Sequence, residues 1–401
     1  NLKEICQQQL HEISKPEYSE LLLKNYVTLL LNNGDAALTI NNRLKILNNG
    51  DEFFPAFFKD LENAKKFIHI EVFGLESGEL FENLLEILTK KVSEGVEVRV
   101  IYDCVGSRAL KHRDAKRMQK ADIHAYSYMP VWLPHFANKF NYRNHRKIFV
   151  IDGTIGYTGG MNIADRYLHG TERGIWRDTQ IRVQGGAVTM LNAVFINDWS
   201  FVSNGEFLYA PKYFPTIEIS DVLPIQIATS GPDSPYATIM QAYFAAIGKA
   251  KRYIYISTPY LLPNQPIITA LKVAALSGVD VRILIPVRGD NIMVAWAGYS
   301  NIDTLIDAGV KIYMYKKGFN HSKYFVMDDE FCSIGSANLD YRSFDIDFEV
   351  QAIIYDSAEK LKGFFMEDAC ESELITQENW KNRPRISKIM EPIARLFGRL
   401  F

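Results

Sequence analysis

At 401 residues the chain has room for two ordinary domains, and 47% hydrophobic with 23% charged residues is the balance of a packed globular protein. A formal net charge of −2 excludes a whole-molecule positive field of the kind that gathers nucleic acid. The four scattered cysteines (Cys6, Cys104, Cys332, Cys370) exclude a zinc ribbon or disulfide scaffold and suit buried, inert thiols in a reducing compartment.

The first apolar segment, LLLKNYVTLLL at 21–31, is too short to span a bilayer and carries a lysine. Residues 1–45 read as an N-terminal helical, juxtamembrane segment. The chain begins at Asn1 rather than Met, so prior removal of an anchor is compatible with the sequence. KKFIHIEVF (65–73) alternates as a strand, SEGVEVRVIYD (93–103) is a glycine-ended helix entering a buried strand, and KADIHAYSY (120–128) is a third strand.

MPVWLPHFANKFNY (129–142) follows, carrying Trp132, Leu133, Phe136 and Phe140. Two readings fit it: a core-packing excursion, or an aromatic loop beside the site that touches acyl chains. Then comes NHRKIFVIDGTIGYTGGMN (144–162), with His145, Lys147, Asp152, Gly159, Gly160 and Asn162, and after it Asp178 at the head of an apolar strand.

The second half repeats this plan. KRYIYISTPY (251–260), LSGVDVRILIP (276–286) and DAGVKIYMY (307–315) echo the three strands, and NHSKYFVMDDEFCSIGSAN (320–338) echoes the motif with His321, Lys323, Asp328, Gly335, Ser336 and Asn338. Glu349 follows at the head of another apolar strand. The alternation predicts an α/β protein of two tandem βαβ domains, 46–215 and 222–384, each a mixed, mostly parallel sheet flanked by helices. The spacing from Ala121 to His145 is 24 residues, against 12 from Gly309 to His321, so the aromatic insert belongs to the first half alone.

A lone H-x-K means little, but two copies matching at six positions in equivalent places are specific. Histidine and lysine two apart in an extended segment share a face. The aspartates close the following strand and are expected to be structural, while the glycines permit close backbone approach. If the halves face each other, one cavity receives two imidazoles, two ammoniums and two asparagine amides. That set suits phosphoryl transfer without metal or cofactor: lysines and amides hold the equatorial oxygens, one imidazole attacks and the other protonates. A histidine in such a role needs a carboxylate on its other nitrogen, and Asp178 and Glu349 are the candidates, unless they are plain strand-end acids. Glu71, in the apolar strand IHIEVF, is expected to act through a neighbour.

The tail KNRPRISKIMEPIARLFGRLF (381–401) carries six basic residues and one acid, with apolar residues including Ile393 and Phe397 at helical spacing. A basic amphipathic helix over 385–401 follows, which either lies on an anionic membrane or packs its apolar stripe on the domain.

At these residues the sequence resembles the phospholipase D superfamily, whose signature is the paired H-x-K-x4-D motif. From about residue 44 it resembles the bacterial cardiolipin synthase family, through stretches such as NYRNHRKIFVIDG, GGMNIADRY, WRDTQIRVQGGAV, SANLDYRSF and DFEV. The resemblance implies a site at the pseudo-twofold interface and the joining of two phosphatidylglycerols into cardiolipin and glycerol through a phosphohistidine. It implies His145 as nucleophile and His321 as general acid and base, with a carboxylate pairing that can cross between halves. It further implies phosphatidylglycerol and an anionic membrane surface as partners rather than nucleic acid, at the cytoplasmic face of a bacterial inner membrane. Members commonly begin with two transmembrane helices, which this sequence does not show. A homo-oligomer is compatible with the sequence. The competing readings are a phospholipase D-type hydrolase, another phosphatidyltransferase, a nuclease, or a non-catalytic binding module.

Overall fold

The computed structural model describes residues 2–15, 24–129, 141–206, 209–355 and 357–398. Trp132, Leu133, Phe136 and Phe140 therefore lie outside the described residues.

Each half is built on one mixed sheet flanked by helices. The first runs in the order Asn42–Asn48, Thr179–Gly185, Ile155–Gly159, Ile148–Ile151, Phe67–Val72, Glu97–Asp103, His124–Tyr128. The second centres on the matching series Ile225–Ser230, Glu349–Tyr355, Phe331–Gly335, Tyr324–Met327, Tyr253–Ser257, Asp280–Pro286, Lys311–Tyr315, with Leu38–Thr39 and Ser372–Ile375 at its edges. Every residue of Phe67–Val72 and of Tyr253–Ser257 is buried, so the alternation in the first of them marks no solvent face: His69 and Glu71 are as buried as their apolar neighbours.

The α/β class holds, but the balance within the sheets differs from the mostly parallel expectation. Within these two sheets only Phe67–Val72 with Glu97–Asp103 with His124–Tyr128, and their counterparts in the second half, pair in parallel among the described residues; the other ladders of the two sheets are antiparallel. The parallel strands are those joined through crossover helices such as Glu79–Ser93 and Gln265–Leu276. Each H-x-K motif instead enters a hairpin, Ile148–Ile151 with Ile155–Gly159 and Tyr324–Met327 with Phe331–Gly335, and tight turns give antiparallel pairing.

The helices Leu2–Ile13 and Lys24–Gly34 do not stand apart as a separate N-terminal segment. Cys6, Tyr26, Val27, Leu30 and Leu31 pack with Ile239, Ala242 and Tyr243 in the core of the second half, and Leu38–Thr39 joins its sheet. The spacing of Tyr26, Val27, Leu30 and Leu31 puts them on one helical face, and that face needs a partner. The first sheet begins at Asn42. Residues 215–224, between the halves, form no regular element.

The two halves share an apolar interior: Ile148, Val150 and Ile181 of the first sheet lie in one cluster with Tyr324, Ile334 and Val350 of the second. The halves are thereby pressed together along one seam, and the motifs meet there.

Asp152 and Asp328 sit at the hairpin turns in left-handed backbone, each with φ of 53°. Asp152 accepts the backbone N–H groups of Lys65, Lys66 and Phe67 at 2.7–3.0 Å, and Asp328 those of Lys251, Arg252 and Tyr253 at 2.6–2.8 Å. Each thus clamps the start of the neighbouring central strand. Asp152→Ala should lower stability by about 2–3 kcal/mol in denaturant unfolding, because three donors lose a charged acceptor. Turnover per folded molecule should change little.

Candidate active site

The backbone of each motif is held by the opposite half. Asn144 bridges Phe348, and the His145 N–H donates to Phe348 O at 2.9 Å. Gly318–Asn320 pairs in parallel with Ile175–Arg177, and the His321 N–H donates to Arg177 O at 2.7 Å. A single cross-half bridge and a short cross-half ladder therefore present the two histidines in pseudo-equivalent places.

The carboxylates cross in the same way. His145 Nδ1 lies 3.0 and 3.1 Å from the two oxygens of Glu349, and His321 Nδ1 lies 2.6 Å from Asp178 Oδ2. Each half supplies the acid for the other half's base, so the arrangement exists only when both halves are docked. The imidazoles keep 12% and 10% of their side-chain surface accessible while both carboxylates keep none, so a ligand can reach the rings but not their acids. With Nδ1 committed in both rings, Nε2 is the nitrogen left for chemistry.

The two dyads are not equal. Glu349 also accepts from the Ser336 hydroxyl and from Ser343 Oγ at 2.8 Å. At the matching positions the first half has Gly160 and Tyr167. A Cβ on Gly160 would lie 2.1 Å from Asp178 Oδ1, so only glycine lets that carboxylate approach. The Tyr167 hydroxyl oxygen accepts from Asn162 Nδ2 at 3.2 Å and lies 3.4 Å from His321 Nδ1, so it serves the ring's neighbourhood rather than Asp178. Among the described residues Asp178 adds only the Thr179 N–H at 2.8 Å.

The charges follow. Burial acts to raise Glu349, but His145, Lys147 and Ser336 outweigh it and hold the group below the ordinary carboxylate value. Burial lifts Asp178 to about 6, against the weaker pull of Lys323, the Thr179 N–H and Arg177. Burial, with Lys147 and Lys323 adding to it, pulls His145 down to about 4 against the opposing Glu349. His321 is driven well below its usual value by burial, then by Lys323, Lys147 and His145.

Lys147 and Lys323 are fully buried, and each donates to the carbonyl of its own histidine, Lys147 at 2.6 Å. Burial lowers them to about 7 and about 8, with Glu349 and Asp178 opposing. Asn162 accepts the Gly74 N–H at 2.9 Å, and Asn338 Oδ1 is buried with no hydrogen-bond partner among the described residues. At Gly159 and Gly335 an added Cβ would strike the next strand, at 2.6 Å from Thr179 O and 2.2 Å from Val350 O.

Glu71 does not touch either ring. It accepts from Asn144 Nδ2 at 2.6 Å and so steadies the residue before His145. Ser257 holds Asn320 in the matching place, at 3.3 Å. Ile393 and Phe397 stand on a separate helix, Arg385–Leu396 and the turn after it. Sequence reasoning missed Ser343 and Tyr167, although each follows its Gly-Gly or Gly-Ser step by seven residues. It also missed two buried ion pairs, Arg146–Asp198 within the first half and Arg177–Asp368 across the seam.

A family model described as "Cardiolipin synthase, PLD-like domain" matches residues 57–199 and 243–368. The chain is 41% identical to cardiolipin synthase 2 of Staphylococcus epidermidis over 406 aligned positions, covering 99% of this chain and 83% of that protein. It is 42% identical to the cardiolipin synthase of Geobacillus thermodenitrificans over 372, covering 92% and 74%. Among solved structures, the phosphatidylserine synthase of Haemophilus influenzae Rd KW20 superposes with a TM-score of 0.68 at 14% identity, covering 100% and 98% of the two chains, and shares the fold. The polyphosphate kinase of Porphyromonas gingivalis gives 0.55 at 12% identity, covering 90% and 54%.

Proposed function

The chain belongs to the cardiolipin synthase family of phospholipase D-like proteins, and from that premise we propose that it joins two phosphatidylglycerols into cardiolipin and releases glycerol. The observation that carries the mechanism is the crossed pair of histidine–carboxylate contacts, His145 with Glu349 and His321 with Asp178.

His145 Nε2 attacks the phosphorus of the donor lipid, breaking the bond to the headgroup glycerol and forming a phosphatidyl-histidine. The imidazole becomes cationic as that bond forms. Glu349 is the better-held anion of the two, so its partner is the ring on which developing positive charge is best stabilised. His321 gives its proton to the departing glycerol oxygen. The free site disfavours that proton because the ring is buried and then because of its neighbouring cations, and the bound phosphodiester supplies negative charge that offsets the cations. In the second step neutral His321 takes the proton of the acceptor's glycerol hydroxyl, that oxygen attacks phosphorus, and His145 is freed. Lys147, Lys323, Asn162 and Asn338 hold the phosphoryl oxygens through both steps.

The division of the chain follows the same plan: a first phospholipase D-like half and a second one, parted by 215–224. The substrate places the protein at a membrane surface, although among the described residues no helix is long and apolar enough to cross one. Four free cysteines, with Cys370 exposed, support the cytoplasmic face.

The deciding experiment incubates the purified protein with phosphatidylglycerol vesicles and resolves the products. Cardiolipin with equimolar glycerol supports the reading; phosphatidic acid alone would move it to a hydrolase. A pH profile gives an independent check. Phosphate oxygens need Lys147 protonated, and its charge is lost as pH rises through about 7. The alkaline limb of kcat/KM on a soluble short-chain substrate should therefore open near neutrality. The limb of kcat should lie higher, because bound phosphate stabilises the ammonium. A kcat/KM that stays flat up to the ordinary lysine range would count against Lys147 as an oxygen ligand.

A further inference from the structure

The helix Arg385–Leu396 turns its apolar stripe away from the protein. Ile386, Ile389, Ile393, Leu396 and Phe397 are 66%, 63%, 42%, 82% and 46% exposed. At about 100° per residue they fall in one arc. The inward arc is a different one. Ala394 is fully buried with Leu262 and Ala297, and Glu391 is buried and accepts from Arg383, which also reaches Asp303. A terminal helix that merely completed the core would bury the large residues and expose the small ones; here the reverse holds.

The charge around that stripe has one sign. Arg385, Lys388 and Arg395 are exposed, whereas Glu391, the only acid over 381–401, is neutralised by Arg383. The helix is also close to the catalytic seam. Ala394 packs on Leu262, and Leu262 is the ladder partner of Asp340, two residues beyond Asn338. The helix Ile292–Tyr299 that it rests against follows Asp290, which accepts from the Tyr260 hydroxyl at 2.8 Å and whose charge bears on Lys323.

We infer that Arg385–Leu396 is a docking element that lays its Ile386, Ile389, Ile393, Leu396 and Phe397 edge into an anionic bilayer and brings the active-site mouth to the lipid surface. The occupant is a bilayer because the surface combines a one-sided apolar row with flanking positive charge that no carboxylate pairs with among the described residues, the complement of anionic headgroups over acyl chains. This rests on the lipid-substrate reading above only for the value of docking, not for the docking itself.

The test uses the full chain and cosedimentation with phosphatidylglycerol–phosphatidylcholine vesicles, against phosphatidylcholine vesicles alone. The parent should bind the anionic vesicles, more weakly as salt is raised. Ile389→Asp with Leu396→Asp should cut binding at least tenfold while soluble short-chain phosphatidylglycerol is still turned over. Lys388→Gln with Arg395→Gln, conservative on a surface helix, should abolish the preference for anionic vesicles. Unchanged binding in the aspartate variant overturns the inference. So does light scattering that shows a lipid-free dimer which the aspartate variant breaks, since the face would then join two copies. Vesicle binding without any turnover of the soluble lipid would instead strike the enzymatic reading and leave the docking element standing.

Discussion

Turnover of phosphatidylglycerol by a His145→Ala variant is expected to fall by about 10⁴-fold or more, to the background of a site that can bind the lipid but not attack it. The ring is the only protein group in the proposed mechanism that forms a bond to phosphorus, and no neighbour can replace it: Lys147 and Lys323 are held against the histidine carbonyls. His321→Ala should also be severely impaired, but in a way that separates the two roles. Without its acid the glycerol oxygen leaves as an alkoxide, so the first step is slow, and without its base the second step is slower. On a phosphodiester with a nitrophenol leaving group the acid is not needed. His321→Ala should then release nitrophenol in a burst and carry a phosphoryl adduct by intact-mass measurement, while His145→Ala shows neither. Adduct on the His145→Ala protein, or wild-type turnover by it, would end the assignment.

The second large effect is expected at Glu349. Glu349→Gln keeps the size of the side chain and exchanges one acceptor oxygen for a donor. Both oxygens now face His145 Nδ1, and each also receives a serine hydroxyl. An amide donor aimed at Nδ1 favours the tautomer with hydrogen on Nε2, which removes the attacking lone pair. It also withdraws the anion that balances the imidazolium. A loss of about 10²–10⁴-fold in kcat follows, with folding intact. Asp178→Asn should cost less on the nitrophenol substrate than on phosphatidylglycerol, since it acts through the acid whose proton that leaving group does not require. Equal losses on both substrates would argue that the two dyads share one role.

Much of this site was legible in the sequence, and the reasons are local. The paired motifs, the strand that follows each, and the clamping by Asp152 and Asp328 all depend on residues a few positions apart or on the repeat itself. Asp178 and Glu349 could be picked out as acids heading apolar strands. Which histidine each serves could not, because the contacts span 143 and 204 residues and are set by how the halves dock. The antiparallel majority escaped for a related reason: burial makes hairpin and crossover strands look alike, and only the connection decides direction. Residues 1–45 read as an N-terminal helical, juxtamembrane segment because the apolar face of Lys24–Gly34 gives no hint that its partner lies about 210 residues further on, around Ile239 and Tyr243. The tail's spacing gave its apolar stripe but not which face the fold would bury, because that depends on contacts with Leu262 and Ala297 far away in sequence.

The crossed backbone pairings, with Gly318–Asn320 lying beside Ile175–Arg177 and Asn144 beside Phe348, have a consequence for heredity. The duplicated segments cannot drift independently, because a lesion near the His145 imidazole is felt by an acid encoded 204 codons away. A genetic screen for suppressors of a weakened His145 environment should therefore recover compensating changes around Glu349 and Ser343 more often than within the first motif.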